Sequence, residues 1–331
     1  MKTIFFNLLT AIFSLFILSA LVSCSSDDNS ITETVPQNNL TIAQIANSNE
    51  NLSLLVQALN RTNLTDVLNN EGNFTVFAPT NEFFTSFLSN NGFTSLNDVP
   101  VPVLREVLLN HVVNNKLESS NFITGYINTL AKGNASNTSN ISMYINTSNG
   151  VEINGGKANN GAKVTQANIQ ASNGVIHLVD NVISLPTIVN HAIANPNFSI
   201  LVSALTRNDQ PDFVSILSGS EASPFTVFAP TNSAFQNLLQ ELELNDLSQI
   251  PTSVLENTLK YHVVAGSNVL SSQITNGLIV ESFQGDTFTI NLDNEVTITD
   301  TEGRVSKIII VDVQADNGVI HAIDKVILPN F

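Results

Sequence analysis

The side chains in this sequence most able to do chemistry are its histidines. His177 and His321 each end a Val-Ile-His run, while His111 and His262 each precede two valines. An enzyme needs a nucleophile with a base, a pair of carboxylates or a metal ion. No Gly-x-Ser-x-Gly, His-Glu-x-x-His or phosphate-loop pattern accompanies the histidines. We therefore expect His177 and His321 to be structural residues in apolar strands, and we predict no catalytic residue and no enzyme activity.

A short acidic segment near the end of the chain is the other place to look for chemistry. Asp312, Gln314 and Asp316 alternate as the ligands of an EF-hand calcium loop do. The sixth position of that loop has to be glycine and is Asn317, and the twelfth has to be glutamate and is Ile323. The sequence therefore predicts neither a metal site nor a cofactor.

Cys24 is the only cysteine, so the chain can form neither an internal disulfide nor a thiolate metal cluster. It follows Lys2 and an apolar run from Ile4 to Val22, which is typical of a secretory signal. The segment Leu-Val-Ser-Cys at 21–24 resembles the lipobox of bacterial lipoproteins. The resemblance implies that residues 1–23 are a lipoprotein signal peptide and that Cys24 is lipidated. An uncleaved transmembrane helix is the alternative, because the run approaches the length that spans a bilayer.

Residues 24–39 are rich in Ser, Thr, Asn and Asp, which predicts a polar tether. The Ser-Asp-Asp directly after the lipobox region resembles the export signal of lipoproteins that reach the outer face of a bacterial outer membrane. An ordinary polar tether is the alternative interpretation. We expect a surface-exposed protein of the cell envelope that is held at the outer membrane by its lipid and touches the membrane in no other way.

The balance of charge limits the possible partners. The chain has 28 acidic and 12 basic residues and a net charge of −16. Phosphate backbones are bound by clustered Lys and Arg, so we exclude nucleic acid as a partner. A hydrophobic content of 43% with only 12% charged residues is enough to bury sizeable cores.

An internal repeat organises the rest of the chain. Phe-Thr-Val-Phe-Ala-Pro-Thr-Asn at 74–81 recurs at 225–232, and Asn-Gly-Val-Ile-His at 173–177 recurs at 317–321. Because the order of the blocks is kept, we predict two domains, domain 1 at 40–185 and domain 2 at 186–331.

Each copy changes its hydrophobic period along the sequence. Phe74–Ala78 predicts a buried strand, and the apolar spacing from Pro102 to His111 predicts a helix. Later segments such as Thr287–Ile290 alternate between apolar and polar residues, as strands do. This order implies an α+β fold with helices on a mostly antiparallel sheet. The Asn, Gly and Ser content of Gly133–Gly161 predicts long mobile hairpins.

The two repeated blocks, in this order and at this spacing, resemble the fasciclin domain family. The resemblance implies two tandem fasciclin-like domains, each a mostly antiparallel β-wedge or sandwich flanked by helices, with roles in cell adhesion and no established active site. A Tyr-His pair is tied to adhesion in some animal members. Tyr261 and His262 match that pair in domain 2, whereas domain 1 has Asn110 before His111.

The two copies also differ in charge. Domain 1 carries nine acidic and six basic residues, net −3, and domain 2 carries sixteen and five, net −11. The segment from Glu281 to Glu302 holds six acids and no base. A spacing of two predicts that its paired acids share one face of a strand. The usual meaning of such a face is a solvated hairpin, and the alternative is a docking face for a cationic or cation-bridged partner.

These observations predict a non-catalytic, lipid-anchored surface protein that acts in adhesion or interaction. Its partner would be a cell-surface or extracellular protein or glycan. The alternative is a surface ligand-binding accessory protein that captures a glycan or small solute for uptake, although a chain with no Trp and three Tyr offers few rings for sugar stacking. The candidate partner-binding residues are Tyr261, His262, Asp293, Glu295, Asp300 and Glu302.

Overall fold

The repeated sequence builds the same elements twice, helices first and then a sheet. The computed structural model describes residues 39–331. The predictions for Cys24, the signal peptide and the tether up to residue 38 lie outside the described residues. Both domains belong to one compact unit. Among the helices of residues 39–331, none combines the length and apolarity needed to cross a bilayer.

Domain 1 places three short helices before its first strand and two helices after it. The helices are α1 Ile42–Ser48, α2 Ser53–Arg61, α3 Thr65–Asn69, α4 Asn81–Asn90 and α5 Val101–Leu109. The strands are β1 Phe74–Pro79, β2 Val112–Val113, β3 Gly125–Gly133, β4 Ser136–Asn146, β5 Glu152–Ile153, β6 Ala162–Ala171 and β7 Gly174–Val179.

Domain 2 repeats this order. Its helices are α6 Ile188–Ala194, α7 Ser199–Leu205, α8 Phe213–Ser218, α9 Asn232–Glu241 and α10 Thr252–Tyr261. Its strands are β8 Phe225–Pro230, β9 Val263–Ala265, β10 Leu278–Glu281, β11 Thr287–Asn291, β12 Thr297–Thr299, β13 Val305–Ala315 and β14 Gly318–Ile323.

The first helix of each domain is fixed at its start by the same local chemistry. The hydroxyl of Thr41 accepts a hydrogen bond from the backbone of Gln44, whose side chain accepts one from the backbone of Thr41. Thr187 and Asn190 form the same reciprocal pair at α6. These capping boxes satisfy backbone N–H groups that the first turn leaves free.

Each domain has one seven-stranded mixed sheet. The order is β2-β1-β7-β6-β5-β4-β3 in domain 1 and β10-β11-β12-β13-β14-β8-β9 in domain 2. All pairs are antiparallel except β1–β7 and β8–β14, so the prediction of an α+β fold with a mostly antiparallel sheet is confirmed. The parallel pair places the first repeated block directly beside the last, with Phe77 opposite His177 and Phe228 opposite His321.

A bulge curls each sheet into a wedge. The pairing register slips within β6 and within β13, where Asn168 has φ 63° and Asp312 has φ 58°. Asn and Asp tolerate this left-handed conformation better than most residues, and such bulges increase local twist. Each domain therefore has one core between helices and sheet and a second core inside the curl.

The segment Gly133–Gly161 is not a set of mobile hairpins, and that prediction was wrong. β3 and β4 pair as antiparallel strands with register shifts on either side of Lys132, and Ile141, Met143 and Ile145 on β4 are fully buried. The Asn, Gly and Ser residues occupy the outward positions and the turns of this hairpin, which packs against domain 2.

Polar and aromatic contacts join the two domains. At the tip of the β3–β4 hairpin, the backbone N–H of Asn134 donates to the Asp316 carboxylate at 2.9 Å, and that of Ala135 donates to the Asp316 carbonyl at 2.7 Å. Gly133 fits so closely that a Cβ atom there would lie 2.7 Å from the Asp316 Cα. On the helix side, the Asn159 amide donates to the Asn190 carbonyl at 2.8 Å.

Candidate functional site

His177 and His321 tie the bulge of each sheet to the loop that crosses it. The Nε2 atom of His177 donates to the Leu117 carbonyl at 2.9 Å, and that of His321 donates to the Val269 carbonyl at 2.9 Å. Their Nδ1 atoms accept from the backbone N–H groups of the bulge residues at 3.3 Å. Both rings are fully buried and stack on a phenylalanine. With both nitrogens paired to backbone, neither imidazole is available for catalysis.

His111 and His262 fasten the last segment of each domain. Nδ1 donates to the carbonyl four residues earlier at 2.7 Å in both cases, which leaves Nε2 as an acceptor. That acceptor binds the backbone N–H of Ile183 in domain 1 at 2.9 Å and of Ile327 in domain 2 at 3.2 Å. Complete burial lowers the pKa of each ring to about 4, so both are neutral at pH 7.

Tyr261 and His262 lie in the core, where neither side chain can touch a partner. Tyr261 is 0% exposed, its ring packs edge-on against Phe288, and its hydroxyl donates to the Thr287 carbonyl at 2.8 Å. Burial raises the pKa of the Tyr261 phenol to about 12. The prediction that this pair contacts a partner is therefore corrected, because the pair connects α10 to the second core of domain 2.

The four acids chosen from the sequence lie in turns and not on a strand face. Asp293 and Glu295 are in the β11–β12 turn, and Glu302 is in the β12–β13 turn. Asp300 is only 5% exposed, and its carboxylate accepts three backbone N–H groups, those of Glu302, Arg304 and Leu328. Asp300 is thus a turn anchor and not a contact residue.

The remaining acids differ in how freely they face solvent. Glu295 pairs with Lys307 at 2.6 Å. Asp293 accepts a long hydrogen bond of 3.4 Å from the Asn276 amide. The carboxylate of Glu302 makes no hydrogen bond within residues 39–331 and stays available. The prediction of an acidic surface therefore holds for turn positions, and the prediction of two pairs on strand faces is wrong.

The outer face of domain 2 exposes apolar side chains that the sequence reading did not select. Six large apolar residues between 279 and 311 are exposed, whereas the matching stretch of domain 1, residues 125–167, exposes none of this class. They are Ile279, Phe283, Leu292, Val305, Ile309 and Val311. The run Ile-Ile-Ile-Val at 308–311 was a usable signal, since a strand with one solvated face alternates.

His191 is a second residue that the sequence reading missed. It stands on α6 at the position that Ile45 holds on α1, and it is fully buried between the domains. Its ring meets Tyr126 edge-on, with 5.6 Å between centroids, and its Nδ1 atom has no hydrogen-bond partner within residues 39–331. Burial lowers its pKa to about 4.

Metal ligands and enclosed cavities are the other features of residues 39–331 that could carry chemistry. No group of three His, Cys, Asp or Glu side chains is placed to hold a metal ion in that range. An apolar cavity of about 50 Å³ lies beneath α6 and α7, with Phe198, Leu201 and His262 in its lining. It is far smaller than the several hundred Å³ typical of small-molecule sites.

Comparison with known families decides the classification. The fasciclin domain model matches residues 50–186 and again 196–329. The chain belongs to the fasciclin domain family. Each match spans both repeated blocks and the parallel strand pair of its domain. Each also contains two histidines that bind backbone, His111 and His177 or His262 and His321, which we call the framework histidines. The family assignment therefore rests on the same residues that build the fold.

Relatives in this family range from single-domain to long proteins. Human periostin is 28% identical over 271 residues, which is 81% of this chain and 30% of periostin. An uncharacterized Synechocystis protein, sll1735, is 36% identical over 147 residues, 44% of this chain and 98% of that protein. This chain therefore spans about a third of periostin and of the ig-h3 protein of Sus scrofa, of which 35% is matched.

A solved fasciclin domain pair shows the same architecture. The FAS1 domain pair of the insect cell adhesion molecule Fasciclin I has a TM-score of 0.53 at 18% identity, covering 84% of this chain and 97% of that one. At this identity the likeness establishes the fold alone. The solved pair supports the tandem two-domain fold described above.

Proposed function

We propose that this protein is a lipid-anchored, non-catalytic adhesion or interaction protein of the cell surface, and that domain 2 makes the contact with its partner. The family supports an interaction role, since a fasciclin domain pair occurs in a cell adhesion molecule. The partner would be a cell-surface or extracellular protein or glycan. The lipobox-like segment ending at Cys24 supports the anchor.

The observation that carries this proposal is the composition of the outer sheet face of domain 2. Ile309 and Val311 project from β13 into solvent, and the free carboxylate of Glu302 lies in the turn before that strand. Exposed apolar groups beside charges are the usual make-up of a protein contact surface. Domain 1 has Thr165 and Ala167 at the two apolar positions, so this surface is particular to domain 2.

The acidic field of domain 2 favours a cationic or cation-bridged partner. With a net charge of −11, the domain would speed encounter with a basic surface more than it would set the final affinity. At physiological salt this field is screened beyond about 8 Å. Adhesion should therefore weaken with added salt before the apolar contact itself is lost.

Paired substitutions test where the contact lies. Changing Ile309 and Val311 to Asn should reduce cell adhesion at least tenfold, because the apolar part of the contact is removed without touching a core. The matched control changes Val101 and Val103 to Asn in domain 1, which are about equally exposed. Adhesion would be measured with calcium and with chelator. Equal loss in both variants, or in neither, would place the contact elsewhere.

The anchor is tested separately from adhesion. Cells producing wild type or Cys24→Ala would be labelled with a fatty-acid analogue, and we expect labelling of the wild type only. Equal labelling of both proteins would remove the lipid anchor from the proposal and leave the adhesion test unaffected.

A further inference from the structure

Domain 2 has a groove that already binds a fasciclin hairpin, that of domain 1. The groove runs between α6 and β13, and the outward face of β3 and β4 fills it. The Asn195 amide donates to the Tyr126 hydroxyl at 3.2 Å, and the Tyr126 ring packs against His191 and the helix-side core of domain 2. From β13, the backbone N–H of Gln314 donates to the Ser142 hydroxyl at 3.0 Å.

The same groove exists in domain 1, and no side chain of residues 39–331 fills it. It lies between α1 and β6, has a volume of about 650 Å³, and is lined by Asn49, Gln166, Asn168 and Gln170 above an apolar floor that includes Ile45. By the alignment of the two domains, Ile45, Asn49 and Gln170 stand where domain 2 has His191, Asn195 and Gln314.

The side-chain amide of Asn49 in this groove is held in the same way as that of Asn195 in domain 2. The Asn49 Oδ1 atom caps the next helical turn by accepting from the backbone of Asn51 at 3.0 Å, and the Asn195 Oδ1 atom does the same for Asn197 at 3.1 Å. In domain 2 the remaining Nδ2 of that amide binds the incoming hairpin. In domain 1 the equivalent Nδ2 has no partner within residues 39–331.

Domain 2 in turn presents a free hairpin face equivalent to the one that domain 1 inserts. Tyr126 pairs with Tyr144 across β3–β4, and the next residue, Ile127, faces the curl core. Ile279 pairs with Thr289 across β10–β11, and the next residue, Val280, faces the curl core of domain 2. Ile279 therefore occupies the Tyr126 position, and it is 68% exposed.

We infer that the open groove of domain 1 binds the β10–β11 face of a second copy of this chain, so that copies associate head to tail. Each copy has an unfilled groove at one end and an unburied Ile279 at the other. The occupied groove shows how a fasciclin groove receives a hairpin face. Ile279 would supply the apolar contact that the Tyr126 ring makes there, while the shorter β10–β11 hairpin has neither the Tyr126 hydroxyl nor the tip that meets Asp316. Domain 1, at net −3, repels an incoming domain 2 less than another domain 2, at net −11, would.

A contact of this kind joins two different surfaces and so extends into open chains of molecules. In the groove of domain 1, Gln166 stands where domain 2 has Ile310. The contact between copies is therefore more polar and more easily reversed than the contact between the two domains. Many weak contacts between two crowded surfaces would act together. The inference goes beyond the interaction role proposed above, because it joins two copies of this chain through Ile279 and not through the face that carries Ile309 and Val311.

Crosslinking between two separately made variants tests the arrangement. In a Cys24→Ala background, which contains no other thiol, Gln166→Cys and Ile279→Cys would be prepared singly, mixed and treated with a short thiol-to-thiol crosslinker. Both side chains are exposed, so neither change disturbs folding. The expected result is a crosslinked dimer in at least tenfold higher yield than from a mixture of Gln166→Cys with Ile123→Cys, a control at 82% exposure outside the β10–β11 face.

Sedimentation of the full chain gives an independent measure. Ile279→Asp should lower the self-association constant of the Cys24→Ala protein at least tenfold, while Ile123→Asp should leave it unchanged. Equal crosslinking in both mixtures would overturn the inference, including the case in which residues 24–38 of the same chain fill the groove. If self-association is absent while cells still adhere, the inference fails and the proposed function stands.

Discussion

Domain 1 and domain 2 share a framework and differ in the surfaces they offer. Two histidines in each domain make equivalent backbone contacts, and both sheets contain the same parallel strand pair. Outside this framework, domain 1 has an open, amide-lined groove, whereas domain 2 has a filled groove and an acidic, partly apolar outer face. These two differences lie on surfaces that face the other domain or solvent.

Some residues stabilise a domain from within, and others contact a neighbouring domain or molecule. Tyr261 shows the distinction, since its position in a Tyr-His pair favours a contact role while its burial against Phe288 gives it a structural one. Tyr126 shows the reverse, because it is a plain strand residue by sequence and forms the centre of the domain interface.

The largest difference that we expect between the two domains is in the stability that each loses at low pH. Burial lowers the pKa of His111 in domain 1, and of His191 and His262 in domain 2, from 6.5 to about 4. The unfolded chain therefore binds more protons than the folded one between these values. Stability is complete above about pH 6.5 and falls as the pH drops toward 4. Each of these three histidines accounts for about 3 kcal/mol. Burial also lowers the pKa of His177 and of His321, one in each domain, so domain 2 should lose about 3 kcal/mol more than domain 1 through His191.

Urea unfolding of the full chain at pH 7 and pH 4 would measure this difference. The matched variant is His191→Ile, which introduces the residue found at Ile45 in domain 1. It should bring the acid loss of domain 2 down to that of domain 1. A variant with the same acid loss as wild type would show that His191 does not titrate in this range.

Removing a framework histidine should destabilise its own domain and spare the other. His177→Ala and His321→Ala each leave a cavity and strand a loop carbonyl and a bulge N–H group. We expect each to lower the free energy of unfolding by about 2–4 kcal/mol. Calorimetry of the full chain should show one domain unfolding early in each variant. A variant that keeps full stability but loses adhesion would make the histidine a functional residue.

Removal of one hydroxyl at the domain interface should have the smallest effect on stability. Tyr126→Phe removes the hydrogen bond from Asn195, which is worth about 1 kcal/mol. Unfolding of the two domains should then become less coupled, with a wider gap between their transitions. The control is Tyr144→Phe, whose neighbouring hydroxyl makes no hydrogen bond within residues 39–331. An equal change in both variants would indicate that ring packing alone couples the domains.

The helices and strands of the shared framework could be predicted because short stretches of sequence determine them. The buried strand expected at Phe74–Ala78 is observed as β1, and the helix expected from Pro102 to His111 is observed as α5, Val101–Leu109. A short apolar run ended by proline, and apolar residues at helical spacing, need no distant partner to be recognised. The bounds differ by one or two residues, as helix and strand ends commonly do.

The contact surfaces could not be predicted because long-range packing decides them. Asp293 and Glu295 have the spacing of a strand face, but Asp-Asn-Glu favours a turn, and the chain reverses there. The side chain of Tyr261 is buried by Phe288, a residue from a strand further along the chain. Whether a groove is open or filled depends on the other domain, which no local window contains.

The parallel pairing of β1 with β7, and of β8 with β14, also sets the order in which the protein can be completed during its synthesis. The strand that comes first in each domain, β1 or β8, cannot complete its pairing until the last strand, β7 or β14, has been synthesised. Phe74 is paired with Gly174, and Phe225 with Gly318. Contacts between such distant residues slow folding. Domain 1 can close before domain 2 has been made, and its β3–β4 hairpin is then a finished surface. Domain 2 closes last, with Asp316 meeting that hairpin directly before the final strand, so the nascent chain assembles its second domain against its first.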